Sequence, residues 1–393
     1  MRALHFGAGN IGKGFIGYLL NKAGFDVCFV DVNQSAIDKI NRNKRYLVEL
    51  LDDDHTVEVI SPVSALNSIT QKEEVLNSIV KADIITTSVG IGNIPRIAEC
   101  IAKGLLKRIK INKTKINIIA NENAINASST LKKEVEKYLS NEEINKICEY
   151  VGFPNSAIDR LALSKENEED EVALVEPIYE WVINESEMVN NNLPYIKGVT
   201  YVANLTPYIE RKLYCVNMAH AATAYLGFLN GEKTIQDTLK SHVIESIVKG
   251  ALNETAQYFI KEYDISLEEI NIFMEKILLR FKNKNISDDI LRVGRSPVRK
   301  LGMNERLVGP TLKLYEKEYP VKYMAMLVAG ALLFDNPEDE ESVILQQYIK
   351  ENGIEESIRH FTGIDDGCLI IIIKNNYCKL NNYEERRSLL AHR

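Results

Sequence analysis

The chain has 393 residues, 45% of them hydrophobic, and carries 48 Lys and Arg against 55 Asp and Glu. That length exceeds what one hydrophobic core usually organises, so two domains are expected, and a net charge of −7 argues against nucleic acid as a partner. Six scattered cysteines without a CxxC pair read as reduced thiols, and no apolar run reaches the roughly 18 residues of a membrane span, so a cytoplasmic protein with no membrane partner is expected.

Residues 3–6 form a short apolar run that suits a buried strand, ended by Gly7. The segment Gly7-Ala8-Gly9-Asn10-Ile11-Gly12 is a G-x-G-x-x-G, and residues 15–20 have the apolar density of a packed helix. In such a unit the first glycine permits a tight turn, the second a close backbone approach to a pyrophosphate, and the third helix-on-sheet packing. By itself the motif is a flexible turn as easily as a binding loop. Its context is more telling: residues 26–30 read as a second strand, ended by Asp31, 19 residues after Gly12. An acid there accepts hydrogen bonds from an adenosine ribose and repels a 2′-phosphate, which favours NAD over NADP. Residues 82–90 and 117–120 continue as buried strands, the second ending at Asn121-Glu122-Asn123, which reads either as a solvated turn or as a border of the nicotinamide. Helices are expected over 71–80 and 131–139. This half is α/β, a doubly wound Rossmann-type domain assigned to residues 1–190.

Gly152, Pro154 and Asn155 break the pattern. Asn155 is a turn residue after proline or an amide donor to a substrate oxygen. The charge run at 165–171 reads as a solvated loop or hairpin tip, with strands at 172–175 and 180–183 appended to the main sheet. From 191 to 393 helical periodicity dominates, and this second domain is expected to be mostly α-helical. A helix capped by Thr206 and ended by Gly227 is followed by helices over 235–263, 267–281, 311–334 and 343–351. Residues 368–374 (CLIIIIK) suit a strand by composition, but a lone strand lacks a partner in a helical domain, so a helix is favoured.

Within the helix beginning near Thr206, Lys212, Asn217 and His220 are sparse polar residues among Leu, Val, Met and Ala. Asn217 and His220, three apart, share a face. In a regular α-helix Lys212 lies about 80° around and about 12 Å along from His220, a separation that flanks a small extended substrate. Singly, the lysine reads as solvated and the histidine as buried and satisfied. Together they suit hydride transfer from a carbinol: a lysine base for the hydroxyl proton and amide donors for the developing alkoxide. No HExxH or Cys/His ligand set is present, so no metal is expected. Further on, Arg292, Arg295 and Arg299 stand in a basic run that suits a phosphate or carboxylate, or a basic surface loop.

These motifs carry a resemblance: GAGNIGKGF at the start, ANENA at 120–124, GFPNSAIDR at 152–160, VEPIYEW at 175–181, ERKLYCVNMAHA at 210–221 and RVGRSPVRKL at 292–301. The sequence resembles the polyol-specific long-chain dehydrogenases over nearly its whole length, and the K-x4-N-x2-H spacing is that family's catalytic signature. The resemblance implies a Rossmann-type domain, a helical domain, an active site between them and no metal. It implies Lys212 as general acid/base, Asn155 and Asn217 as an oxyanion-type pocket, and His220 as a substrate ligand. NAD would lie on Gly7, Gly9, Asn10, Ile11, Gly12, Asp31 and Asn121, and Arg292, Arg295 and Arg299 would hold a substrate phosphate. Ser296 stands where the family pattern has an acid. The implied reaction interconverts D-mannitol 1-phosphate and D-fructose 6-phosphate in a monomer or dimer. The competing readings are a hexuronate reductase of the same family and a catalytically silent NAD-binding protein.

Overall fold

The computed structural model describes residues 1–165 and 167–390, which fall into two compact units, Met1–Tyr208 and Ile209–Arg393. The first unit therefore runs further than the expected 190, because a last strand near residue 200 pairs within it. Its strands are β1 Arg2–Phe6, β2 Asp26–Asp31, β3 Tyr46–Leu50, β4 Val57–Ile60, β5 Val63–Asn67, β6 Ile84–Thr87, β7 Ile116–Ala120, β8 Val151–Gly152, β9 Ser156–Asp159, β10 Ala162–Lys165, β11 Val172–Val175, β12 Glu180–Asn184 and β13 Val199–Val202.

Six of these form one wholly parallel sheet in the order β5-β2-β1-β6-β7-β8. The central strands are buried on both faces, which is why they read as continuous apolar runs. Strand order reverses at β1, whose neighbours are β2 and β6, so the loop after β1 opens at the switch point where such sheets bind ligands.

The strands at 172–175 and 180–183 are not appended to this sheet. β11 joins β10, β3 and β4 in a second sheet, and β12 joins β9 and β13 in a third. The main sheet ends at two-residue β8, and the segment after β12 is tied to the strand beside it: the Asn117 amide on β7 donates to Asn190 O (2.8 Å) and accepts from Val189 N (2.9 Å). The charge run forms the tip between antiparallel β10 and β11. It is only partly solvated: Asp170 is buried and Glu171 pairs with buried Lys13, while Glu166 lies outside the described residues.

The second unit is helical. Its centre is the helix Met218–Asn230, in which Met218, Ala219 and every residue from Ala221 to Gly227 are buried. A helix buried on nearly every side must be surrounded, and Lys322–Leu332 is a second of this kind packed against it. The helix ends at Gly231 (φ +78°) rather than at Gly227. Gly227 serves packing instead, since a Cβ there would stand 2.2 Å from Thr238 Oγ1. The expected helix over 235–263 is two, Ile235–Thr238 and His242–Tyr263, the second capped by Ser241. That over 311–334 is also two, Val308–Glu316 and Lys322–Leu332. Residues 368–374 lie in the helix Gly367–Asn381, as favoured, with Leu369, Ile370 and Ile373 turned into the core. None of the described helices is long and apolar enough to cross a membrane.

Candidate active site

In the first unit the segment 7–12 forms the turn that its sequence implies. Gly7 has φ +103°, and a Cβ there would meet Ser88 O at 2.6 Å; at Gly12 it would meet Gly7 O at 2.0 Å. Both positions therefore require glycine. Gly9 is exposed and Asn10 and Ile11 are half-buried, and nothing stands within 4 Å of a Cβ built on Gly9. That open backbone, leading into a helix N-terminus, is a cradle of the kind a pyrophosphate fills. The helix widens to a π turn over Gly12–Gly17 and continues as Tyr18–Lys22. Asp31, at the carboxyl end of β2, accepts from Ala8 N (2.6 Å), Val32 N (2.7 Å) and Asn33 N (2.9 Å), so its carboxylate is fixed beside the loop.

His5 lies beneath this turn and escaped the sequence reading. It is fully buried, with Nδ1 2.7 Å from Thr86 Oγ1 and Nε2 2.8 Å from Ser88 Oγ. Burial holds its pKa down at about 3, so the ring is neutral and bridges β1 to β6.

Asn121 and Glu122 are not a solvated turn. Asn121 is buried, with Oδ1 accepting from Ser156 Oγ (2.9 Å), and only Asn123 of the three is exposed. Glu122 accepts from Thr87 Oγ1 (2.8 Å), Val89 N (3.0 Å) and Gly90 N (2.7 Å), fastening the loop after β6.

Asn155 is likewise more than a turn residue. Its Nδ2 donates to Ser129 Oγ (2.8 Å) and Glu187 Oε2 (3.1 Å), while Oδ1 accepts from Ser129 N (3.1 Å). Both amide hydrogens are thus committed within the unit, and donation to an oxyanion requires exchanging one of them. In the same motif Arg160 is structural: it donates to Gly14 O and Glu176 O, and lies over the rings of Phe15, Tyr18 and Tyr179.

The helix carrying Lys212, Asn217 and His220, three residues of the second unit, differs from the expected one. It begins as Thr206–Arg211, passes through a π turn over Lys212–Asn217, and returns to α at Met218. In an α-helix, residues five apart lie about 140° around the axis. A π turn bonds i to i+5, so Lys212 and Asn217 come nearly one above the other. From Lys212 to Gly227 the residues that are not buried are Lys212, Leu213, Asn217 and His220. The three polar residues therefore coincide with the accessible stripe of a helix otherwise sunk in the core. Among the described residues the Asn217 amide makes no side-chain hydrogen bond within the protein. Beside Lys212, Glu210 anchors the helix start, accepting from Tyr258 and Tyr263 hydroxyls (2.7 Å each) and pairing with Lys313 (3.1 Å).

His220 Nε2 lies 2.6 Å from Asp288 Oδ2, and its ring stacks on Phe281 (centroids 4.9 Å, 20° between planes). Asp288 Oδ1 also takes the Arg292 guanidinium. Burial pushes the Asp288 carboxyl up, but the bonds from His220 and Arg292 outweigh it and hold the pKa below the ordinary range. Arg292 is thereby brought to within one carboxylate of His220. Arg295 and Arg299 are exposed, with Arg299 3.4 Å from Glu305. The same segment hides Lys300, which the sequence reading passed over. It is 4% exposed, donates to Val293 O and lies 5.9 Å from the Tyr225 ring centroid. Burial, then Arg306, Arg299 and Arg295, lower its pKa to about 7. Among the described residues no cluster of His, Cys, Asp and Glu is arranged to hold a metal ion.

The mannitol dehydrogenase Rossmann domain matches residues 1–197, and the mannitol dehydrogenase C-terminal domain matches 204–375. The chain belongs to the mannitol dehydrogenase family. It is 46% identical over 366 residues to a mannitol-1-phosphate 5-dehydrogenase of Bacillus licheniformis, spanning 93% of this chain and 96% of that one. The identity is also 46%, over 364 residues and the same shares, to the protein of that name from Bacillus subtilis (strain 168). Among solved structures, a substrate-free D-sorbitol dehydrogenase matches 99% of this chain and 95% of its own (TM-score 0.87, 15% identity). Pseudomonas fluorescens mannitol 2-dehydrogenase, in a ternary complex with NAD and D-mannitol, matches 99% and 93% (TM-score 0.73, 15% identity). At such identity the two structures attest the family's fold.

Proposed function

We propose that this chain interconverts D-mannitol 1-phosphate and D-fructose 6-phosphate with NAD, with Lys212 as general acid/base. The observation that carries the chemistry is the accessible stripe Lys212–Asn217–His220 on a buried helix. The phosphorylated substrate is supported by two relatives at 46% identity bearing that activity in their names. The first unit's residues fit a dinucleotide: Gly9 is open for the pyrophosphate, and Asp31 stands at the ribose end and disfavours a 2′-phosphate. Bound NAD⁺ supplies the hydride acceptor.

In the oxidative direction the neutral Lys212 amine takes the hydroxyl proton as the carbinol hydrogen leaves as hydride to the acceptor that bound NAD⁺ would supply, which leaves a ketone and a protonated lysine. Asn217 donates to the oxygen as negative charge develops. His220 accepts a neighbouring substrate hydroxyl. Asn155 joins only by exchanging its bond to Glu187 for one to the substrate. Arg295 and Arg299, exposed on the basic segment, supply forks for the phosphate. In reduction, protonated Lys212 returns its proton to the oxygen.

The test is NADH oxidation with fructose 6-phosphate, fructose and fructuronate side by side, for wild type and Lys212→Ala. Turnover confined to fructose 6-phosphate is expected, with a loss of about 10²–10⁴-fold in the variant and NADH binding intact. Turnover of fructuronate instead moves the protein to the hexuronate reductases. No turnover of any substrate favours the silent NAD-binding protein, and full activity in Lys212→Ala refutes the lysine mechanism.

A further inference from the structure

His220 and Asp288 are 68 residues apart in sequence, yet their side chains meet at 2.6 Å, with Asp288 only 8% and His220 29% exposed. Residue 288 is itself pinned. Its carbonyl accepts from Ile235 N (2.9 Å) and its N–H donates to Gln236 Oε1 (3.1 Å), which ties the segment before the helix Ile290–Gly294 to the helix Ile235–Thr238. Its second carboxylate oxygen is taken by Arg292. The imidazole is thus held at one edge by a fixed carboxylate and on one face by Phe281.

An ionised carboxylate only accepts hydrogen bonds, so the histidine nitrogen facing it must carry a hydrogen. Nε2 faces Asp288, and among the described residues Nδ1 takes no hydrogen bond. We propose that Asp288 is the positioning residue for His220: it fixes the neutral ring as the Nε2–H tautomer and turns Nδ1 toward the substrate as an acceptor for a hydroxyl. Arg292 takes the other carboxylate oxygen, so Asp288 is held from both sides in the position where it accepts from the ring. This inference rests on the reading of His220 as a substrate ligand. It adds that the first of the three arginines acts through Asp288 rather than on the phosphate.

The experiment is nitrogen-15 NMR of histidine-labelled protein at alkaline pH, with the His220 signals assigned by their loss in His220→Asn. The wild type is expected to show an unprotonated Nδ1 and a protonated Nε2. Asp288→Ala is expected to show the average of both tautomers, with a KM for fructose 6-phosphate raised about tenfold and NADH affinity unchanged. A wild-type ring protonated at Nδ1 overturns the proposal whether or not the variant folds, and so does a tautomer or KM that Asp288→Ala leaves unmoved. The tautomer is read without turnover. Absent activity on fructose 6-phosphate therefore counts against the functional reading alone, whereas a wrong tautomer in an active enzyme counts against Asp288 alone.

Discussion

Lys300 offers a test of the electrostatics beneath the basic segment. Its pKa of about 7 lies below the ordinary 10.5, because the ammonium is buried among Arg306, Arg299 and Arg295. Between those two values the unfolded chain holds a proton at this site that the folded chain has released, so stability rises with pH there. At 1.36 kcal/mol per unit, burying Lys300 disfavours the fold by about 4 kcal/mol at pH 7 and about 2 kcal/mol at pH 9. Lys300→Met removes the titration and leaves Val293 O without its donor, a loss of about 1–3 kcal/mol that is the same at both pH values. The quantity to read is therefore the change in the stability difference between variant and wild type. That difference should move against the variant by about 2 kcal/mol from pH 7 to pH 9. Urea unfolding followed by far-ultraviolet circular dichroism, with a reductant for the cysteines, gives the number for the helical unit. A difference that stays flat, or moves toward the variant, refutes the assignment of a neutralised buried lysine.

His5 gives the complementary effect at low pH. With a folded pKa of about 3 against the ordinary 6.5, it remains neutral while the unfolded chain protonates, so stability falls as pH drops below 6.5. The His5 contribution is about 2 kcal/mol lost by pH 5, and His5→Gln should flatten the acid limb of a thermal-melt series by that amount. Gly104→Ala places a Cβ 2.4 Å from Ile79 Cδ1 in the first unit and should destabilise it by about 1–3 kcal/mol, read as a lowered urea midpoint. Asn217→Ala removes one donor to the developing oxyanion and should lower kcat by about 10²–10³-fold with KM for fructose 6-phosphate little changed. An equal loss through KM alone would reassign Asn217 to ground-state binding.

What the sequence disclosed was chiefly what local pattern encodes. The strand, glycine turn and acid at β2 are read from apolar runs and from residue types with one conformational use, and the structure has them at Gly7, Gly12 and Asp31. The polar triplet in an apolar helix was likewise visible. Its geometry was not, because periodicity assumes 100° per residue and nothing in KLYCVN announces a π turn. The helix break before Ser241 was hidden for the same reason: apolar spacing continues across it while a cap restarts the hydrogen bonding. The second and third sheets escaped because their strands are four or five residues long and pair with distant partners, β3 with β11 and β9 with β12. Non-local polar contacts were beyond reach altogether. The bond of Asp288 to His220, and that of Asn155 to Ser129 and Glu187, exist only once the fold brings them together.

The chain has a single tryptophan, Trp181 on β12, wholly buried and edge-on to Phe15 at 6.2 Å. Eighteen tyrosines are spread over both units, but excitation at the red edge of indole absorption addresses one ring in one unit. Tryptophan emission is therefore a private reporter of the first unit, while the helical ellipticity is weighted to the second. If the two signals move together during unfolding, the units melt as one cooperative body; if the emission shifts first, the first unit opens on its own. No label has to be introduced to ask which.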